Sequence, residues 1–258
     1  MRGVRLLQFS WFTVMTIKFK RAKNTLDPYQ ADWPLREFYT HESAATRVQL
    51  ATLRKLVKNN SGESALDKFI KSNPAVLTMA LKYVSTGHGG AWVLPQQTIK
   101  TRMNSSDKGL IPDYIIGGLN SDGFSWWVVE LKGADSQMFS KRNGSLYFSQ
   151  TLNKAICQTL EYIDYCSRIQ ATLRDEFKLT NFREPKGLIL IGREDELASD
   201  FQKQALRACW NRMNNKIEIR TFDSLVRTFE DSYRFWSANR RQGKELLKLV
   251  HEKGRNPQ

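Results

Sequence analysis

The chain has few of the residues that build metal centres from imidazole or thiolate groups. In its 258 residues it contains three histidines and three cysteines. The histidines are widely scattered, and the cysteines are odd in number without any Cys-x-x-Cys spacing, which argues against a histidine-based metal site, a disulfide framework and a thiolate zinc site. These residues are His41, His88, His251, Cys157, Cys166 and Cys209. Reduced cysteines suit a cytoplasmic protein.

Long apolar runs are missing as well. The stretch 4–17 is the most apolar part of the N-terminus, but polar residues interrupt it and it is too short to span a bilayer. No small-residue cleavage site follows it, which argues against a secretory signal. We therefore expect a soluble, cytoplasmic protein without a membrane partner. Met15 offers an alternative start, so the role of the residues before it stays open.

Acidic residues are in deficit. The chain has 40 Lys and Arg against 26 Asp and Glu, a formal net charge of +14, which favours a polyanionic partner such as nucleic acid. The excess is concentrated at the ends, because residues 1–24 carry six basic and no acidic residues and residues 238–258 carry six against two. Basic ends are also common as solvated tails, so charge alone leaves the partner open.

The spacing of apolar residues predicts both helices and strands. Helices are predicted over 44–58, from Ser61 as N-cap to Asn73, and over 75–85, 147–173 and 195–214; strands are predicted over 91–101, 111–116, 124–132, 186–192 and 217–222. This order predicts an α/β fold with a mixed central β-sheet flanked by helices. We divide the chain into a short N-terminal segment (1–45), a principal domain (46–235) and a basic C-terminal tail (236–258).

Three charged residues lie inside two of the predicted strands. Asp113 follows Pro112 in an apolar stretch, and Glu130 and Lys132 end the stretch that begins with Trp126. A buried carboxylate without a partner costs several kcal/mol or takes up a proton. A divalent metal ion would supply the compensating charge.

Strand alternation places these charges relative to their neighbours. Glu130 and Lys132 point to one face of the strand, and Val129 and Leu131 point to the other. A purely structural alternative is that Asp113 caps a turn while Glu130 and Lys132 pair with each other. Trp92, Trp126 and Trp127 are predicted to belong to the core rather than to stack on bases, because they lie on strands that must be buried.

These residues carry a resemblance to a known family. Pro112-Asp113, sixteen intervening residues and then Glu130-x-Lys132 resemble the signature of the PD-(D/E)xK nucleases. Gln158 and Tyr162 in the next helix have the Gln-x-x-x-Tyr spacing found in several branches of that superfamily. Within it, the chain is most similar to the catalytic C-terminal domain of the Shedu anti-phage defence nucleases. The similar segments are 63–74, 112–116, 128–135, 155–162, 185–193 and 219–225, within residues 60–230.

The resemblance implies a restriction-endonuclease-like core and a metal-dependent DNA endonuclease acting in bacterial anti-phage defence. Asp113, Glu130 and the Leu131 carbonyl would bind Mg²⁺ or Mn²⁺. Lys132 would orient or help to deprotonate the attacking water. Glu63 would hold a water or a second ion, although a glutamate also simply favours a helix N-terminus.

Further expectations concern the surroundings of the site. Gln158 would orient the site or touch the DNA backbone, with helix packing as the alternative. Lys141 and Arg142, in the loop after the site, are candidates for DNA-backbone contact or for a solvated turn. One departure from the family pattern is Gly133 after Lys132, followed by Ala134, where a proline is frequent.

The resemblance also implies a homo-oligomer, with a regulatory partner left open. Two other functions remain. One is a catalytically inactive module on a nuclease-like fold that binds nucleic acid or supports assembly, because fold does not guarantee function. The other is a repair or restriction-type nuclease with the same site.

Overall fold

The computed structural model describes residues 29–80, 90–96, 111–198 and 200–253. The chain divides into two compact units, Met1–Ala31 and Asp32–Gln258, and the sheet and helices belong to the second unit. The predicted helical residues 81–85 and strand residues 97–101 lie outside the described residues.

The described elements alternate between strands and helices. The strands are β1 (Tyr39–Thr40), β2 (Ala91–Pro95), β3 (Tyr114–Asn120), β4 (Gly123–Leu131), β5 (Phe139–Arg142), β6 (Ser145–Phe148), β7 (Lys186–Leu190) and β8 (Ile217–Arg220). The helices are α1 (Arg47–Lys58), α2 (Glu63–Ser72), α3 (Ala75–Ala80), α4 (Gln150–Arg168), α5 (Gln170–Asp175), α6 (Asp195–Ala198), α7 (Phe201–Met213) and α8 (Phe222–Lys253). Short 3₁₀ turns at Arg36–Phe38 and Glu42–Ala44 flank β1.

Six strands form the central sheet in the order β1-β2-β3-β4-β7-β8. The pairs from β1 to β4 are antiparallel, and β4, β7 and β8 are parallel. Helix α4 packs on β4 and β7, while α1 and α3 pack with α8 over the other face. The predicted α/β fold with a mixed central sheet flanked by helices is confirmed. The pair β5-β6 forms a separate hairpin.

The β3–β4 hairpin is longer than the sequence predicts. The predicted strands 111–116 and 124–132 leave residues 117–123 as the connection between them. In the structure, β3 begins at Tyr114, runs to Asn120 and pairs with β4 up to Gly123. The Trp126 ring lies over Gly117 and leaves no room for a side chain at this strand position: a Cβ at Gly117 would be 2.4 Å from a ring carbon. The tryptophans at 92, 126 and 127 are buried, as predicted.

Two predicted helices are each divided. The helix predicted over 147–173 is divided at Ile169 into α4 and α5. It begins only after β6, because the Ser149 hydroxyl accepts the Leu152 N–H at 3.1 Å and caps α4. The helix predicted over 195–214 is divided into α6 and α7, and Asp200 caps α7 by accepting the Gln202 N–H at 3.0 Å. The prediction of Ser61 as a cap was wrong, since the N-cap of α2 is Gly62.

One predicted strand ends early, and two elements, α8 and β1, were not predicted. The last predicted strand ends at Arg220 instead of Phe222, and Phe222 begins α8, which continues through residues 236–253 of the basic C-terminal segment. Strand β1, within the segment 1–45, pairs with β2 and extends the sheet. Among the helices that the structure describes, none is both long and apolar enough to cross a membrane.

Candidate active site

Asp113 and Glu130 face each other at the end of the β3–β4 pair. Tyr114 pairs with Val129, so Asp113, one residue before β3, lies opposite Glu130. The Asp113 Oδ2 atom accepts the Leu131 N–H at 2.7 Å. This bond fixes the Asp113 carboxylate on the backbone of the strand that carries Glu130.

Lys132 continues this site beyond the end of β4. Its N–H donates to the Leu190 carbonyl at 2.8 Å, and its ammonium donates to Glu130 Oε1 at 2.7 Å. The two side chains share one face of the strand, as alternation predicts. Only 4% of the Glu130 side chain and 12% of the Lys132 side chain are exposed. The pair is therefore largely removed from water.

Burial changes the acid–base properties of both carboxylates. Burial raises the pKa of Glu130 to about 7, and the charge of Asp113 adds to this effect while Lys132 opposes it. The pKa of Asp113 is also raised by burial, against the opposing effect of the Leu131 N–H bond. Negative charge at this site is thus costly in the absence of a further cation.

Lys132 keeps its proton in this environment. Burial lowers its pKa, but the hydrogen bond to Glu130 and the charges of Glu130, Glu63 and Asp113 outweigh burial, so its pKa is raised overall. Lys132 is a charged donor at neutral pH, not a free base.

Glu63 approaches Lys132 from helix α2. Its Oε2 atom lies 3.6 Å from Lys132 Nζ, and about half of its side chain is exposed. The start of α2 is held by the loop after Lys132, because the Ala134 N–H donates to the Ser61 carbonyl at 2.9 Å. Gly133 makes this approach feasible, since a Cβ there would lie 3.1 Å from the Glu63 nitrogen. The Gly133-Ala134 departure from the family pattern is thus where this loop packs on α2.

Helix α4 brings Gln158 and Tyr162 to the same site. The Tyr162 hydroxyl donates to the Ile111 carbonyl at 3.1 Å. Its pKa is raised by burial and then by the charges of Glu130 and Asp113, which places Tyr162 within their electrostatic range. The Gln158 Oε1 atom is buried and has no hydrogen-bond partner among the described residues. It is an unused acceptor.

The donor set at this site suits a hard divalent cation. Backbone groups of successive strand residues point to alternate sides, and the Lys132 N–H points to β7, so the Leu131 N–H and carbonyl point toward Asp113. Asp113 and Glu130 offer carboxylate oxygens at this strand end, and the Leu131 carbonyl points toward the Asp113 side of it. Mg²⁺ usually takes one or two carboxylates and keeps several waters. The cation would relieve the unfavourable burial of two neighbouring carboxylates.

A denser ligand cluster is not present in the part of the chain that the structure describes: no three His, Cys, Asp or Glu residues there are grouped closely enough to hold an ion together. Glu63 contacts Lys132 instead of completing such a group with Asp113 and Glu130. Its predicted role as a metal ligand stays a prediction.

The two predicted DNA-contact residues lie on the β5–β6 hairpin. Lys141 forms a salt bridge with Asp200 at 3.0 Å. Arg142 is exposed and lines an open surface pocket of about 500 Å³ with Ser140, Asn143 and Tyr147. The hairpin therefore offers Arg142 more readily than Lys141 to a ligand.

The sequence reasoning missed a bond behind the site. The buried Tyr114 hydroxyl donates to Asp67 Oδ1 at 2.7 Å and joins β3 to α2. A signal was present, because Asp67 follows Glu63 by four residues and so lies on the same side of α2.

An α/β domain with a mixed sheet and a paired acidic and lysine site at the end of its central strand is consistent with a nuclease-like core. The family model described as Shedu protein SduA, C-terminal, matches residues 60–226, and the chain belongs to this family. No curated protein matches the chain. The matched region begins just before α2 and ends within α8, so it includes the candidate site.

Proposed function

We propose that the protein is a metal-dependent DNA endonuclease that acts in bacterial defence against phage. Membership of the Shedu family supports this activity. The observation that carries the proposal is the buried Lys132–Glu130 pair at 2.7 Å, with Asp113 facing Glu130. A lone ion pair would not need a second buried carboxylate beside it, whereas a cation site does.

The chemistry follows from the charge of the substrate. A phosphodiester is anionic, so hydrolysis needs a neutralised phosphate and an oriented water. Asp113, Glu130 and the Leu131 carbonyl would hold Mg²⁺ or Mn²⁺, and the bound ion would neutralise phosphate charge as a Lewis acid. Lys132, being protonated, would donate to a phosphate oxygen and screen the charge that develops there.

Surrounding residues would orient the reactants. Glu63, partly exposed beside Lys132, would accept a hydrogen bond from the attacking water. Gln158 would use its unpaired Oε1 to accept a hydrogen bond from a water or from the substrate. Arg142 would contact the DNA backbone. A homo-oligomer and a cytoplasmic location remain part of this proposal.

The test compares cleavage by the wild type with cleavage by Lys132→Ala and Asp113→Ala. Supercoiled and linear DNA are incubated with Mg²⁺, Mn²⁺ or a chelator at fixed salt. Lys216→Ala is the matched control, because Lys216 also pairs with a glutamate at 2.7 Å but lies on the surface. We expect cation-dependent cutting by the wild type and the control only. Cutting by both site variants would contradict the assignment.

A second candidate is an inactive module that binds nucleic acid on the same fold. The lack of a three-ligand group among the described residues favours it. Titration with Mg²⁺ or Mn²⁺ separates the two, because an ion that binds the folded state raises the Tm. A Tm that rises for the wild type and not for Asp113→Ala supports the nuclease. An unchanged Tm supports the module.

A further inference from the structure

Three arginines lie close together at the end of strand β8. Helix α7 follows the outer edge of this strand: the Asn211 side chain donates to the Ile219 carbonyl and accepts the Ile219 N–H, both at 2.9 Å. The Asn214 Oδ1 atom, directly after α7, accepts the Ile217 N–H at 2.9 Å, so α7 runs antiparallel to β8. Arg207, one turn before Asn211, therefore lies at the level of Arg220, and α8 adds Arg227.

Two of these arginines have carboxylate partners and the third has none. Arg220 pairs with Glu218, and Arg227 forms two hydrogen bonds with Glu194. Within the part of the chain that the structure describes, Arg207 forms no hydrogen bond or salt bridge. Its Nε atom is buried without a hydrogen-bond partner, although the residue as a whole is only half-buried.

This arrangement leaves positive charge and donors unused. The charges of Arg220, Arg227, Glu194 and Glu218 all act on Arg207. The cluster therefore contains three guanidinium groups and two carboxylates. Burial, and then repulsion by Arg220, lowers the pKa of Arg207. A partly buried guanidinium without a hydrogen-bonded carboxylate among the described residues is unfavourable, and an anion with several oxygens would satisfy it. The N-terminus of α8, at Phe222, adds favourable potential for an anion.

The arginine cluster lies at the same edge of the sheet as the candidate active site. Strands β4, β7 and β8 are parallel, so their carboxyl ends share one edge, where open α/β sheets commonly bind ligands. Backbone bonds connect these ends, from Ile191 N to the Arg220 carbonyl and from Gly192 N to the Gly133 carbonyl, both at 3.0 Å. Neighbouring strands are about 4.8 Å apart, so the ends of β8 and β4 are separated by about 10 Å. Arg220 aligns with Leu190 and Glu130 aligns with Ile189, so the two side chains leave this edge on opposite faces of the sheet.

We propose that Arg207 and Arg220 bind a phosphate group at this edge of the sheet. The planar guanidinium group matches a phosphate with two parallel N–H donors. The phosphate would come from the backbone of DNA that crosses this edge of the sheet from the candidate active site, and this source rests on the proposed nuclease function. The phosphate chemistry itself does not, because a free nucleotide would present the same oxygens.

The first experiment measures duplex DNA affinity without cleavage. The full chain carrying Lys132→Ala is compared with the same protein carrying also Arg207→Ala, at several salt concentrations. Arg212→Ala is the matched control, since it removes the same charge from an exposed position on the same helix. We expect Arg207→Ala to weaken binding about tenfold and to reduce the salt dependence by about one phosphate contact. We expect the control to change affinity less than about twofold.

The second experiment identifies the source of the phosphate. Inorganic phosphate and ATP are added separately to the wild type and to Arg207→Ala, and the Tm is measured. If only DNA distinguishes the variants, the site binds backbone phosphate; if ATP raises the wild-type Tm and not that of Arg207→Ala, it binds a free nucleotide. Equal responses of both proteins to DNA, phosphate and ATP would overturn the proposal.

A structural role for Arg207 has a different signature. Because Arg207 forms no hydrogen bond or salt bridge with the described residues, Arg207→Ala should keep or raise the Tm in phosphate-free buffer, whereas the loss of a structural role would lower it. Should that variant not fold, Arg207→Lys retains a charge without the planar fork, and wild-type DNA affinity in it would also overturn the proposal. Neither readout needs cutting, so failure of the nuclease proposal leaves the phosphate result interpretable.

Discussion

The Tyr114 hydroxyl donates to Asp67 Oδ1 at 2.7 Å and joins strand β3 to helix α2 directly beside Asp113. Tyr114 is almost fully buried, and Asp67 also pairs with Lys71 at 2.6 Å. Glu63 lies one turn before Asp67 on α2. The Tyr114 hydroxyl therefore connects strand β3, which directly follows Asp113, to the helix that carries Glu63.

Removal of the Tyr114–Asp67 hydrogen bond should leave α2 held less firmly beside the candidate active site, while the hydrophobic core stays filled. Tyr114→Phe keeps the buried ring and deletes only the donor, so we expect the free energy of unfolding to fall by about 1–2 kcal/mol. Cleavage should fall further than stability alone explains, because Glu63 would be held less firmly. Denaturant unfolding and cleavage rates measure the two effects. Tyr147→Phe, at an exposed tyrosine, is the control for stability. Full activity in Tyr114→Phe would show that the bond does not position the site.

The fold class and the pairing of Glu130 with Lys132 were accessible from the sequence because they depend on local rules. Alternation along a strand is set by the backbone, so two charges two residues apart must share a face. An apolar run between Pro185 and Gly192 indicated β7, which begins at Lys186 as predicted and ends at Leu190 instead of Gly192.

What the sequence did not indicate depends on contacts between distant segments. Glycine is typical of turns, but Gly117 lies in a strand, where the Trp126 ring covers it. The fold of the loop after Lys132 depends on α2, which lies about 70 residues earlier in the sequence. The sequence does not distinguish Arg207 from other charged residues on helices. Its position at the end of β8 depends on the Asn211 bond that fixes α7 along this strand. Such tertiary contacts override local propensity.

The loop after Lys132 should not tolerate a side chain at Gly133. A Cβ there would lie 1.8 Å from Asp135 Oδ1 and 3.1 Å from the Glu63 nitrogen. Gly133→Ala must therefore displace the Asp135 carboxylate and push on the start of α2, and we expect a loss of about 1–3 kcal/mol in the free energy of unfolding. Gly62→Ala is the control, since its nearest contact of 3.5 Å is ordinary. Thermal unfolding and cleavage by both variants provide the measurement, and equal behaviour would contradict the expectation.

Stability without divalent cations should depend on pH through Glu130. Its pKa is raised from 4.5 to about 7, so the folded state binds more protons than the unfolded state between these values. The free energy of unfolding should therefore fall as the pH rises from about 4.5 to 7, by at most about 3 kcal/mol. The raised pKa of Asp113 acts in the same direction. Lys132 is charged in both states over this range and does not contribute.

The measurement is thermal unfolding between pH 4 and 8 in a chelating buffer. Glu130→Gln should flatten the pH dependence, because the amide does not titrate. Added Mg²⁺ should restore stability at pH 7 in the wild type but not in Glu130→Gln. A wild-type Tm that rises steadily with pH over this range would show that Glu130 is not the group that controls stability.

Gln158 separates stability from function most directly. Its buried Oε1 atom lacks a hydrogen-bond partner, and an unsatisfied buried acceptor costs about 1–3 kcal/mol. Gln158→Leu removes this acceptor at similar volume, so the free energy of unfolding should stay the same or rise, while cleavage should fall if the acceptor serves the reactants. Thr159→Val is the comparison, because the neighbouring Thr159 hydroxyl already donates to the Ala155 carbonyl within α4 at 2.8 Å and has no access to the site. A lower Tm in Gln158→Leu with unchanged cleavage would assign Gln158 to helix packing alone. A higher Tm with reduced cleavage is the outcome expected of a group kept at a cost in stability for what it binds.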